Sequence, residues 1–248
     1  MTNLDNTFLI KSLVAPCYSE PSFMSSKLTE AVSGETVKII EAKKDWLFIE
    51  QGDGYKSWIK DFYGTTKKKS FIPDYLSIDS FPIPFGTRLM YMDGNYFTVR
   101  GDLYNYKIKP VKLGNKLSVD NVMKYAKLLI GCPYRWGGKT SLGFDCSGFV
   151  QSVYLAAGIL LPRDSWQQSE FLIDRRTEGD LSKPGDLHFF GKNGKISHVG
   201  ISTGGFGIIH CQGWVKEEMF SPSPNIKHNI LLEDMYMHTC SLGLNLNT

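Results

Sequence analysis

Five cysteines and five histidines are the chain's candidate nucleophiles and bases, and three of them have neighbours that suit them to act together. Cys146 stands in Gly143-Phe144-Asp145-Cys146-Ser147-Gly148, and beyond it Phe149, Val150, Val153, Tyr154 and Ala157 recur on one face at helical spacing. That spacing predicts a helix starting at or just before Cys146 and ending near Gly158. A thiol at a helix start gains stabilisation of its thiolate from free backbone N–H groups and the positive end of the macrodipole. An imidazole beside it would complete the activation. His198 and His210 flank Thr203-Gly204-Gly205. If those three residues form a hairpin loop with Gly205 left-handed, His198 pairs directly with His210, Cβ atoms roughly 4.5–5.5 Å apart on one sheet face. One ring would then be the base and the other its orienter. A two-residue turn would put them on opposite faces.

The elements that must position these groups are legible in outline. From Ser118, Val119, Val122, Met123, Tyr125, Ala126, Leu129 and Ile130 recur at helical spacing, and the helix ends at Gly131. Beyond Pro162 come strand signals at Leu187-His188-Phe189-Phe190, Ile196 to Ile201 and Gly207 to Cys211. Helices first and strands afterwards predict an α+β catalytic domain over 118–248. Upstream, short apolar runs at 8–10, 37–40, 46–49 and 57–59, with turn signals at Ser33-Gly34 and Asp53-Gly54, predict a small β-barrel over 1–63. A second, shorter barrel is expected over 70–114, with strands 87–92 and 96–100 around Asp93-Gly94-Asn95. Between them Lys67-Lys68-Lys69 reads as a solvated linker.

Composition sets bounds on function. With 248 residues, 42% apolar and 21% charged, and a mean hydropathy near zero, the chain is globular and neither disordered nor membrane-embedded. A net charge of +3 is too small to mark a nucleic-acid binder. No apolar run reaches the ~20 residues of a membrane helix. Met1 to Ile10 lacks a basic start and apolar core, so if this is the native start the expectation is no signal peptide and a cytoplasmic protein. An odd cysteine count without a Cys-x-x-Cys pair fits neither a disulfide framework nor a zinc site.

Tyr134-Arg135-Trp136-Gly137-Gly138, Phe144-Asp145-Cys146-Ser147-Gly148-Phe149-Val150, Leu161-Pro162-Arg163-Asp164-Ser165-Trp166-Gln167-Gln168, Pro184-Gly185-Asp186-Leu187, Ser197-His198-Val199-Gly200-Ile201 and Ile209-His210 together resemble the NlpC/P60 family. The match runs in order over about residues 118–242. The upstream segments resemble the bacterial SH3 modules that accompany this domain in γ-D-glutamyl-L-diamino acid endopeptidases.

The resemblance implies a papain-like α+β fold that cuts the bond between D-glutamate and the diamino acid of cell-wall (murein) peptides, with no metal or organic cofactor. It makes Cys146 the nucleophile, His198 the base, His210 the orienter and Tyr134 the oxyanion donor. It further implies a substrate groove lined by Asp145, Ser147, Asp164 and Ser165, with Trp136 beside it. A carboxylate there would bind the free amine of an N-terminal L-alanine, and Tyr55 with Glu20 (or Glu30 in its stead) would wall the pocket. Released stem peptides are then the expected substrate. The competing readings are a hydrolase of intact wall, an amidase of the related cysteine–histidine class, and a wall-binding SH3 protein with a vestigial catalytic domain. Oligomeric state is not legible. Cys17, Cys132, Cys211 and Cys240 read as packing residues, His188 as structural, and His228 and His238 as surface residues.

Overall fold

A computed structural model describes residues 6–66, 71–221 and 229–243. The Lys67-Lys68-Lys69 run and His228 lie outside the described residues. The chain divides into two compact units, the first comprising Met1–Leu113 and Trp136–Leu142, the second Gly114–Arg135 and Gly143–Thr248.

The first unit is built on strands β1 (Thr7–Ile10), β2 (Val14–Tyr18), β3 (Lys27–Val32), β4 (Thr36–Lys43), β5 (Trp46–Glu50), β6 (Lys56–Lys60) and β7 (Gly64–Thr66). They form one sheet in the order β3-β2-β6-β5-β4-β1-β7. Alternate residues point inward, so Phe8, Ile10, Ala15, Cys17, Ala31, Val37, Leu47, Ile49 and Ile59 close into one apolar core. A second sheet, in the order β10-β9-β8-β11, contains β8 (Tyr75–Leu76), β9 (Arg88–Met92), β10 (Asn95–Phe97) and β11 (Val111–Lys112). Asp93 and Gly94 both have positive φ, the two-residue turn that joins β9 to β10. The two sheets meet where Arg88 N donates to Ser33 O at 2.9 Å. Gly34 is needed there, since a Cβ on it would lie 2.6 Å from that of Arg88.

Neither sheet closes on itself among the described residues, so the two barrels expected from the turn signals are not seen as barrels. One free edge, β3, is met instead by the segment Trp136–Leu142, which contains β12 (Lys139–Thr140). Trp136 Nε1 donates to Lys27 O at 2.9 Å, and Lys139 N donates to Glu30 Oε2 at 3.2 Å.

The second unit is the α+β domain. Helix α1 (Val119–Leu128) starts at Ser118, whose side chain accepts from Asn121 N. After β13 (Gly143–Phe144), helix α2 (Cys146–Ala157) is buried along almost its whole length and stops at Gly158, left-handed at φ 115°. Helix α3 (Ser165–Phe171) follows. The remaining strands are β14 (Arg176–Thr177), β15 (Leu187–Lys192), β16 (Lys195–Gly204), β17 (Gly207–Gln212), β18 (Trp214–Met219) and β19 (Tyr236–Cys240), with α4 (Ile230–Met235) before the last. They form an antiparallel sheet in the order β14-β19-β15-β16-β17-β18. Helix α2 packs on β16 and β17, and α3 on β16, which sets the start of α2 against the middle of the sheet.

Candidate active site

Cys146 is the first residue of α2, and Asp145 is its N-cap, with Oδ1 accepting from Gly148 N at 2.6 Å. A buried carboxylate needs a buried cation. Arg163, only 1% exposed, supplies it: Nη1 and Nη2 reach the Asp145 oxygens at 3.1 and 2.6 Å, and Nη1 also donates to Ser147 Oγ at 3.0 Å. Sequence reasoning quoted Arg163 within a motif but gave it no role. The signal was present, because an aspartate capping an apolar helix has to be neutralised by something nearby. Gln168 adds a second tie, donating to Ser147 O and Pro162 O at 3.1 and 2.9 Å.

The Cys146 sulfur lies 4.0 Å from the carbonyl oxygen of Ser197, the residue before His198. Burial first, and the Asp145 carboxylate second, push its thiol up to about 12, against the opposing N–H groups of Val199 and Ser147 and the charge of Arg163. The helix start alone therefore does not hold a thiolate in the resting site. His198 is pushed the other way, down to about 3, by burial and then by His210. The pair rests as neutral thiol and neutral imidazole.

His198 and His210 share a sheet face, but not in the register expected. Gly200, not His198, stands opposite His210; Ile201 pairs with Ile209, Ser202 with Ile208, and Gly204 with Gly207. The loop is the two residues Gly205-Phe206, with Gly205 left-handed at φ 54°. That shorter turn would have separated the histidines, except that a bulge between Ser202 and Gly204 inserts one residue and restores the parity. The two rings are diagonal neighbours that meet over Gly200: His198 Nε2 lies 2.8 Å from His210 Nδ1, with the ring planes at 83°. Gly200 leaves this space open, because a Cβ there would come within 2.8 Å of His210 Cβ. The same diagonal continues onto β18, where Glu218 pairs with Ile208 and places Oε2 3.3 Å from His210 Nε2. Neither β18 nor Glu218 was singled out from the sequence, since Trp214-Val215-Lys216-Glu217-Glu218-Met219 lacks a clean alternation.

Tyr134 is bridged to Phe144, donates its backbone N–H to Gly213 O at 2.8 Å, and is 38% exposed. Burial, then the neighbouring Cys146 and Asp145, raise its phenol to about 12, so it remains a hydrogen-bond donor. Asp164 caps α3, its N–H accepted by Gln167 Oε1 at 3.0 Å, and Ser165 is buried behind it. The remaining candidates belong to the first unit. Trp136 is 66% exposed with its indole tied to Lys27, Tyr55 is half-buried beside Asp53, and Glu20 is exposed in the turn after β2. Glu30 is instead buried, 2.6 Å from Lys27 Nζ.

Of the bland candidates, Cys211 donates to Phe144 O, and His188 is fully buried with Nδ1 2.7 Å from Thr239 Oγ1. His238 is not the surface residue expected: it is half-buried, ring against Phe189 and Nε2 3.0 Å from Ser169 Oγ. All five cysteines are unpaired. Among the described residues no group of three or more side chains is placed to hold a metal ion, and no helix is long and apolar enough to cross a membrane.

A cysteine at the start of a buried helix, its sulfur 4.0 Å from the carbonyl oxygen of the residue before a hydrogen-bonded histidine pair, marks the site of a cysteine peptidase. Residues 131–228 match the NlpC/P60 family, and the chain contains a domain of that family. A γ-D-glutamyl-L-lysine dipeptidyl-peptidase of Bacillus subtilis is 28% identical over 214 residues, covering 73% of this chain and 71% of the relative. Dipeptidyl-peptidase 6 of Lysinibacillus sphaericus is 26% identical over 241 residues, covering 79% and 88%. The crystal structure of an NlpC/P60 family protein from Bacillus cereus superposes with a TM-score of 0.80 over 95% of this chain and 99% of its own, at 20% identity, a likeness of fold.

Proposed function

We propose that this chain hydrolyses the γ-D-glutamyl-L-diamino acid bond of murein peptides, acting on released stem peptides with a free N-terminal L-alanine. The observation that carries the reading is the 2.8 Å His198–His210 pair, with the Cys146 sulfur 4.0 Å from the carbonyl oxygen of the residue before His198, in a chain with relatives named γ-D-glutamyl-L-lysine dipeptidyl-peptidase. The His198 Nε2 is taken by His210, which leaves Nδ1 as its base. The thiol proton passes to Nδ1 as the sulfur attacks the γ-carbonyl carbon, and the Tyr134 hydroxyl donates to the developing oxyanion. Collapse of the tetrahedral species breaks the C–N bond, and the diamino acid's amine leaves with the proton from His198. Water, deprotonated by His198, then cleaves the thioester and releases L-Ala-D-Glu with a free thiol.

In this reading Asp145, Ser147, Asp164 and Ser165 line the groove for the L-Ala-D-Glu part. The Arg163 pair leaves the Asp145 oxygens restricted in direction, so a substrate ammonium would be read from one side. The test incubates the protein with L-Ala-γ-D-Glu-diaminopimelate, the same peptide acetylated at its amine, and intact sacculi, with and without iodoacetamide. The expected result is rapid cleavage of the free-amine peptide alone, abolished by alkylation and by Cys146→Ala. Equal cleavage of the acetylated peptide would overturn the free-amine reading, and activity in Cys146→Ala would overturn the nucleophile.

A further inference from the structure

We propose that Glu218 is a positioning residue that fixes the proton order along the chain Cys146–His198–His210 and supplies the countercharge when His198 becomes an imidazolium. A carboxylate can only accept hydrogen bonds, so the 3.3 Å contact makes His210 Nε2 a donor. In the neutral ring His210 Nδ1 must then accept, and at 2.8 Å it accepts from His198 Nε2–H. His198 Nδ1 is thereby left with a free lone pair, the form a base for Cys146 requires. The acceptor at one end dictates both tautomers.

Glu218 is itself held in place. Asn229 Nδ2 donates to its Oε2 at 2.7 Å from the start of α4, and Lys216 Nζ lies 2.7 Å from its Oε1. The hydrogen bond to His210, before the other contacts, holds its carboxyl well below the usual carboxylate range, so it is an anion at working pH. The charged groups acting on the histidine pair are Lys216 and Glu218 on β18, while on α2 the Cys146 sulfur lies 4.0 Å from the carbonyl oxygen of Ser197 and Asp145 is neutralised by Arg163. Lys216 disfavours a proton on His198 and Glu218 favours one.

The test is free of any substrate assumption. Iodoacetamide labelling of Cys146 near pH 7, followed by mass spectrometry of its peptide, reads the small population of thiolate–imidazolium pair. Glu218→Gln keeps an oxygen to accept from His210 but removes the charge. Lowering the affinity of His198 for its proton by one unit reduces that population, and the labelling rate, about tenfold. Where peptide turnover is measured, the acid limb of kcat, at which His198 takes up its proton, moves to lower pH with KM unchanged, and Glu218→Ala lowers kcat further because ring orientation is lost as well. Wild-type labelling rate and pH limb in Glu218→Gln would overturn the proposal, including the case where both variants only lower the melting temperature.

Discussion

At the residue scale, the charge that matters most beside the nucleophile is the buried pair Asp145–Arg163. Replacing Arg163 with Met leaves an unmatched anion at the cap of α2. The expected cost is about 3–5 kcal/mol in urea unfolding, with Asp145→Asn/Arg163→Met regaining part of it. Asp145 was read from the sequence only as a groove residue and its partner was given no role, because a motif read for its substrate contacts hides the residue that only neutralises. His188 is a second case of burial setting chemistry. Burial holds its folded-state value down to about 4, below the ordinary 6.5. The unfolded chain therefore takes up a proton that the folded chain resists. Its contribution to stability is complete above about pH 6.5 and is lost as pH falls toward 4. A melting-temperature series from pH 7.5 to 4.5 is expected to fall less steeply in His188→Phe than in the parent protein.

At the element scale, the β16–β17 hairpin shows how a correct conclusion about a face can come from a wrong register. The sequence pattern put both histidines on one face through a three-residue loop; the chain uses a two-residue loop and a bulge, which give the same parity. Bulges leave no reliable trace in periodicity, so the diagonal geometry was out of reach. It makes Gly200 a requirement of the site. Gly200→Ala is expected to force the β16 and β17 side chains apart and to lower kcat by at least tenfold, as measured with the murein tripeptide, while Gly52→Ala, at an exposed position where a Cβ meets open space, serves as control. Helix α2 was readable to within a residue at each end because Asp145 and Gly158 cap it, whereas α1 starts after the expected Ser118 but ends at Leu128, short of Gly131, because no glycine stands at its C-cap. Helix α3 was not, because only seven residues follow Asp164 before the helix ends.

At the scale of the whole molecule, the order of helices and strands made the second unit legible, and turn signals made the first unit legible as β but not as an open sheet. Strands β2 and β3 were missed because Pro16, Cys17 and the buried Glu30 interrupt any alternation. The division into units also departs from a simple succession of domains, since Trp136–Leu142 leaves the second unit to pack with the first. A truncated chain beginning at Gly114 would strip those seven residues of Lys27 and Glu30, their partners on β3. Its expected behaviour is a lower melting temperature than the full chain and faster proteolysis within 136–142, read by mass spectrometry of the fragments.

The buried, protonated state of Cys146 bears on the protein's tolerance of oxidants. Peroxide attacks thiolates, and sulfenic and sulfinic acids form where a cysteine is both ionised and accessible. A thiol 9% exposed and held up to about 12 is ionised only in a small fraction of resting molecules. The enzyme is thus expected to lose activity to peroxide more slowly than thiol peptidases with a standing ion pair, read as residual activity after timed peroxide exposure.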